Sequence, residues 1–193
     1  MMGISTKKEL KECLEKEREF YLPKKFALEW KLTSDNKYKL YQYVRLLRLT
    51  EYHYNTRKNP IHKLLYAWYR RRKNIAGRKL GIEMWENTFA SGLKIEHAGN
   101  IVVNGHSKIG ENCILYGSNC IGNDGLSSPC PRIGKNVRIG VGAVVIGDVE
   151  IADNVTVAAG AVVVKSCTTE GAVLAGVPAK IVKINVKAGE TNE

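Results

Sequence analysis

Four histidines stand in the 193-residue chain, at positions 53, 62, 97 and 106, and His97 is the one in a place that invites chemistry. Imidazole takes up and returns a proton near neutral pH without help from its surroundings, which makes it the default general base. His97 follows Glu96 and comes just before a slip in an otherwise regular pattern of apolar residues. His53 and His62 have no partner at metal-ligand spacing and read as structural or surface residues, and His106 reads as a turn residue. The five cysteines (Cys13, Cys113, Cys120, Cys130, Cys167) are odd in number and form no CxxC pair. They therefore read as reduced thiols of a cytoplasmic protein, with neither a disulfide framework nor a metal site.

A second chemically suggestive run is Arg70-Arg71-Arg72-Lys73, set beside Tyr66, Trp68 and Tyr69. Cations mixed with aromatic rings suit nucleic acid, an anionic membrane surface or a polyanionic acceptor, and equally a solvated helix face over packed rings. Residues 1–90 hold 21 Lys/Arg against 10 Asp/Glu, whereas residues 91–193 hold 9 of each. The whole net charge of +11 thus lies in the first half, and the halves read as different structural units. The charged N-terminal stretch lacks a signal-type apolar segment, and no run reaches the length of a membrane span.

The elements that must position these residues change character along the chain. Thr6 and Glu9 have capping-box spacing and open a helix to Phe20, which Pro23 ends. Ser34 or Asp35 caps a second helix through LYQYVRLLRL, with Leu40, Tyr43, Leu46 and Leu47 on one face. Asn59-Pro60 starts a third, whose stripe is Ile61, Leu64, Leu65 and Trp68, and Gly77 or Gly81 stops it.

Beyond that point the period is six. Aliphatic residues recur at Ile133, Ile139, Val145, Ile151, Val157 and Val163, and upstream at Val103, Ile109, Leu115 and Ile121. Val137, Ala143, Val149, Val155 and Ala161 follow four residues after the first five. Neither a 3.6-residue helix nor a two-residue strand gives that period, but a triangular solenoid with one short strand per face does. The frame slips between Ile101 and Val103 and loses a position between Ile121 and Ile133, where GNDGLSSPCPR reads as an extruded loop. The expected fold is mostly β, a left-handed parallel β-helix (residues 81–183) after a small basic α-helical region (1–80), with a polar tail (184–193) that is disordered from Lys187.

These residues resemble the hexapeptide-repeat acyltransferases, and within them the serine acetyltransferase branch. The resemblance covers about residues 81–182 and is carried by GLKIEHAGNIVVNG, the loop from Ile121 to Ile133, and the ending AGVPAKIV. It implies acetyl-CoA as cosubstrate, His97 as general base, and Glu83 (with Glu96 second) as the carboxylate that orients it. It further implies cofactor contacts at Gly122, Asn123, Val141, Ala159 and Lys180, and acceptor contacts at Glu96, Ser128 and Cys130, in a homotrimer. The branch carries Asp-Arg-His-Pro where this chain has Ser128-Pro129-Cys130-Pro131. Without that cationic grip the expected acceptor is a sugar hydroxyl of a surface polysaccharide, with serine as the alternative. Peripheral contact with an anionic membrane goes with that expectation, and nucleic acid does not. A non-catalytic basic solenoid is the weaker reading, and a zinc enzyme on this fold would need three histidines where the β-helix has two.

Overall fold

The computed structural model describes residues 3–23, 25–126 and 129–185; Ser128 and the polar tail from residue 186 lie outside them. Helix α1 (Lys7–Tyr21) opens on the expected capping box: the Glu9 amide donates to Thr6 Oγ1 (3.1 Å) and the Thr6 amide to Glu9 Oε2 (3.0 Å). Helix α2 (Ala27–Leu32) has no side-chain cap and no buried residue, and nothing in the sequence announced it. Asp35 caps α3 (Asn36–Asn55), which runs beyond the expected segment. Asn59 caps α4 (Pro60–Leu80), and Gly81, left-handed at φ 66°, ends it.

The β-helix has three faces of stacked parallel strands. The first face stacks Ile82–Met84, Ile101–Val103, Cys120–Gly122, Val144–Ile146 and Val162–Val163. The second stacks Lys108–Ile109, Arg132–Ile133 and Glu150–Ile151. The third runs from Lys94–Ile95 through Ile114–Leu115, Arg138–Ile139 and Thr156–Val157 to Ala172–Gly176, which Ala179–Ile184 closes antiparallel. All six aliphatic frame residues from Ile133 to Val163, and the five that follow four places later, are buried in one core. A period of six therefore translates into side chains stacked coil upon coil, where each contributes its full apolar area.

Two kinds of corner residue do different work. Gly140 is needed for space, since a Cβ there would come within 2.5 Å of the Ala159 amide nitrogen. Asn112, Asn136 and Asn154 sit at φ 58°, 56° and 61° and form a ladder of side-chain amides (3.1 and 3.0 Å) along one edge. Asparagine tolerates that left-handed backbone better than other side-chain-bearing residues.

The first coil has no preceding coil to bond with, so its backbone groups would be left unpaired at a buried end. The helices satisfy them with side chains. Arg48, in the middle of α3, donates to Phe89 O (2.9 Å) and Ala90 O (2.8 Å), and pairs with Glu17 (2.7 Å) and Glu51 (2.8 Å). Glu17 accepts from the Gly92 and Leu93 amides (3.1 and 3.0 Å), and Glu51 from the Asn87 amide (3.0 Å). Tyr21 Oη accepts from the Ile95 amide (2.6 Å), and Lys73 Nζ donates to Met84 O (2.8 Å). Tyr21, Leu40, Tyr43, Val44 and Leu47 join the same core as the coils, so the helical region is the lid of the solenoid.

Candidate active site

His97 stands exposed at the edge where the third face turns into the first, between Lys94–Ile95 and Ile101–Val103. The chain folds into this corner through Gly99 (φ 113°), whose amide donates to Leu80 O (2.8 Å) and so ties the corner to the end of α4. One coil on, Gly117 lies directly against His97, and a Cβ there would come within 3.2 Å of both the His97 Cβ and its carbonyl oxygen. At φ 119° only glycine is comfortable. Asn119, itself buried, fixes that glycine: its Oδ1 accepts from the Gly117 amide (3.0 Å) and its Nδ2 donates to Gly140 O (2.7 Å). The backbone and Cβ of His97 therefore stand against a glycine step that Asn119 holds in place.

Glu96, its neighbour, is half-buried and clamped by Lys37 from the start of α3 and by Lys94 from its own strand. Burial pushes its carboxyl up, but the two lysine hydrogen bonds outweigh this and hold it below the usual range. Lys37 lies 59 positions away along the chain and arrives only through the docking of α3, so no local pattern announces it. Glu83 is exposed on the first face, beside Val102 in register, and shares a cleft with Arg70 and Arg78 of α4 and with Trp85 just beyond its own strand. Among the described residues no hydrogen bond or ion pair joins Glu83 to His97.

The residues expected to touch the cofactor fall on two edges. Val141 and Ala159 continue the His97 edge, where the Gly142 amide donates to Gly117 O (3.0 Å) and the Gly160 amide to Val141 O (2.9 Å). That edge is open: a Cβ on Gly142 or Gly160 would meet nothing within 4 Å. Gly122 and Asn123 occupy the other edge of the first face, with Asn104 Nδ2 donating to Asn123 Oδ1 (3.5 Å). The expected loop leaves the coil from that edge and returns through buried Cys130 into Arg132–Ile133. Lys180 is exposed on the closing antiparallel strand, opposite Ala175. His106 lies in a turn, as its setting implied. His53 and His62, unremarkable in sequence, meet across the α3–α4 hairpin with their Nδ1 atoms 2.8 Å apart. Among the described residues no group of three or more metal-ligating side chains forms, and no helix is long and apolar enough to cross a membrane.

Residues 130–165 match the family of bacterial transferase hexapeptide repeats (six repeats). The chain is 31% identical over 142 residues to the serine acetyltransferase of Staphylococcus aureus strain Mu50, covering 67% of itself and 66% of that protein. The chain has the hexapeptide-repeat acyltransferase fold of the serine acetyltransferase branch. It spans just under two thirds of the length of these Staphylococcus relatives, and 38% of the serine acetyltransferase of Buchnera aphidicola, to which it is 38% identical over 100 residues. Solved serine acetyltransferases share the fold: that of Brucella abortus strain S19 at TM-score 0.70 and 22% identity, over 91% of this chain and 69% of that one. The Neisseria gonorrhoeae enzyme in complex with serine also superposes at TM-score 0.70 and 22% identity, over 92% of this chain and 70% of that one.

These relatives overturn the expected sugar acceptor, since they are serine acetyltransferases. The expectation erred by treating the extruded loop as the sole source of a cation for the acceptor's carboxylate. The fold brings Lys37 and Lys94 to the residue beside His97, so the absence of Arg and His from the loop does not empty the corner of positive charge.

Proposed function

We propose that this chain transfers the acetyl group of acetyl-CoA to the hydroxyl of serine, giving O-acetylserine, with His97 as general base. The observation that carries the reading is the corner itself. An exposed histidine stands against Gly117, where any side chain would be strained, and the edge running on from it leaves open space at Gly142 and Gly160. A pantetheine arm fits such an edge, lying against Val141 and Ala159 with its thioester toward His97.

In the reaction His97 takes the proton of the serine hydroxyl as its oxygen attacks the thioester carbonyl. The imidazolium then returns the proton to the departing CoA thiolate. Glu96 and its two lysines provide opposite charges within one short span. Glu96 is suited to the ammonium of serine and Lys37 and Lys94 to its carboxylate, with Glu83 kept as a carboxylate partner in the closed site.

Gly122 and Asn123 lie across the first face from His97, so one prism does not bring all the cofactor positions together. A second copy laid edge to edge would, and a homotrimer is the closed arrangement that uses every edge pair once. Cys130, where the chain re-enters the coil from that second edge, would then lie on the neighbouring subunit's side of the acceptor. Cysteines that form no disulfide suit a cytoplasmic location.

Release of CoA thiol with serine as acceptor tests the proposal directly. His97→Ala is expected to lose on the order of 10²–10⁴-fold in rate. Full activity of that variant, or thiol release indifferent to serine, would end the assignment. Lys37→Ala should raise KM for serine about tenfold with little change in kcat, as expected for one lost charge-assisted hydrogen bond.

A further inference from the structure

Helix α4 is turned the wrong way round for an ordinary surface helix. Its apolar stripe faces solvent: Ile61 is 67% exposed, Leu64 73% and Trp68 47%. Its inner face instead buries Lys73, paired with Glu86 (2.7 Å) and Met84 O, and Gly77, where a Cβ would strike Ile82 O at 2.4 Å. A helix normally packs its apolar stripe on the core, and an exposed stripe marks a surface that meets something.

The charge around the stripe says what. Between Glu51 and Glu83 the chain has nine Lys or Arg and no acid. Arg57, Lys58, Lys63, Arg71 and Arg72 are exposed, and the Arg72 guanidinium lies 4.7 Å above the Trp68 ring. Two copies meeting through this face would set one cation cluster against another. A bilayer surface bearing anionic headgroups answers both features at once, taking the apolar side chains below the headgroups and the cations among them.

We propose that the exposed face of α4 binds anionic phospholipid surfaces, with Ile61, Leu64 and Trp68 as the inserting side chains and Arg71 and Arg72 among the headgroup contacts. This goes beyond the acetyl-transfer reading and does not depend on it.

The test is co-sedimentation of the full chain with vesicles of phosphatidylcholine alone and of phosphatidylcholine mixed with phosphatidylglycerol. Binding is expected to the mixed vesicles only, and to weaken as salt is raised. Arg71→Gln/Arg72→Gln should lower partitioning roughly thirtyfold, at about fivefold per cation. Ile61→Ser/Leu64→Ser/Trp68→Ser should lower it about a hundredfold, because the inserted apolar area is lost. Both variants change exposed positions that take no part in the candidate active site, so their circular dichroism and serine acetylation in solution should match the parent. Equal binding to neutral vesicles, or full binding by the triple-serine variant, would overturn the proposal. So would dissociation of the triple-serine variant into smaller species in sedimentation velocity, since the face would then belong to a second copy.

Discussion

Replacing Arg48 by Met asks whether the helical lid closes the β-helix through its buried ion network. The side chain is 1% exposed and donates to four acceptors: Glu17, Glu51, Phe89 O and Ala90 O. Methionine fills much of the volume but leaves two buried carboxylates without a counter-ion and two carbonyls without a donor. Breaking a buried pair from one side costs about 3–5 kcal/mol, and the orphaned carbonyls set the expectation at the upper end. The loss should depend on pH with a definite sign. Burial already raises the Glu51 carboxyl, and Arg48 is the main influence holding it down. Without Arg48 the folded-state pKa rises further, and an acid whose folded pKa is raised loses stability as pH rises through that value. The variant's deficit should therefore be largest above neutral pH and shrink as pH falls below the ordinary carboxylate pKa, where the carboxyl becomes protonated in both states. Urea unfolding at several pH values reads the deficit, and hydrogen exchange at the Asn87, Gly92 and Leu93 amides reads the lid locally. A deficit below about 1 kcal/mol at pH 8, or one that grows on acidification, would refute the account of the network.

Three further perturbations probe the corner and the coils. Gly117→Ala places a Cβ 3.2 Å from His97 at φ 119°, and should cost about 1–3 kcal/mol in thermal unfolding while lowering kcat more than it raises KM. Asn136→Ala removes both the 3.1 and the 3.0 Å bonds of the amide ladder at φ 56° and should cost about 1–2 kcal/mol, whereas Asn136→Gly keeps the backbone easy and should cost less; the order of the two melting temperatures decides. Glu96 has a lowered pKa, so its share of stability is present above the normal carboxylate pKa and is lost as pH falls through the folded value. Glu96→Gln should be less stable than the parent at pH 7 by about 1 kcal/mol and converge with it in acid, which melting curves from pH 3 to pH 7 would show.

What could be read from the sequence was what neighbours in the chain decide. The period of six declares itself because each coil repeats the same inward position, and Ile133 to Val163 all arrive in the core. The Thr6 box, the Asp35 cap and Pro60 fix helix starts through residues three or fewer places apart. Helix α2 carries no such signal and went unseen. Long-range juxtapositions were equally silent. Glu17, Arg48 and Glu51 read as ordinary charges on amphipathic helices until α1 and α3 close over the first coil. His97 could be singled out because a break in a repeat is a local event, whereas Lys37, which gives its neighbour a charge partner, could not.

The acceptor shows how the two kinds of information interact. Ser128-Pro129-Cys130-Pro131 by itself holds no arginine to grip a carboxylate, and the expectation of a sugar acceptor rests on that. That inference assumed that a site's charge resides in the segment where relatives keep it. In a solenoid the assumption is weak, because a catalytic edge is assembled from several coils and from whatever lid covers the first of them. Here the lid contributes Lys37 to Glu96, the residue next to His97, and the strand leading into it adds Lys94. If these lysines hold the serine carboxylate, ethanolamine, which keeps the hydroxyl and the ammonium but lacks the carboxylate, should be a poor acceptor for the parent enzyme. It should also be nearly indifferent to Lys37→Ala, while serine loses about tenfold in kcat/KM. Equal losses for both acceptors would mean that Lys37 only props the corner, and that the carboxylate is held elsewhere.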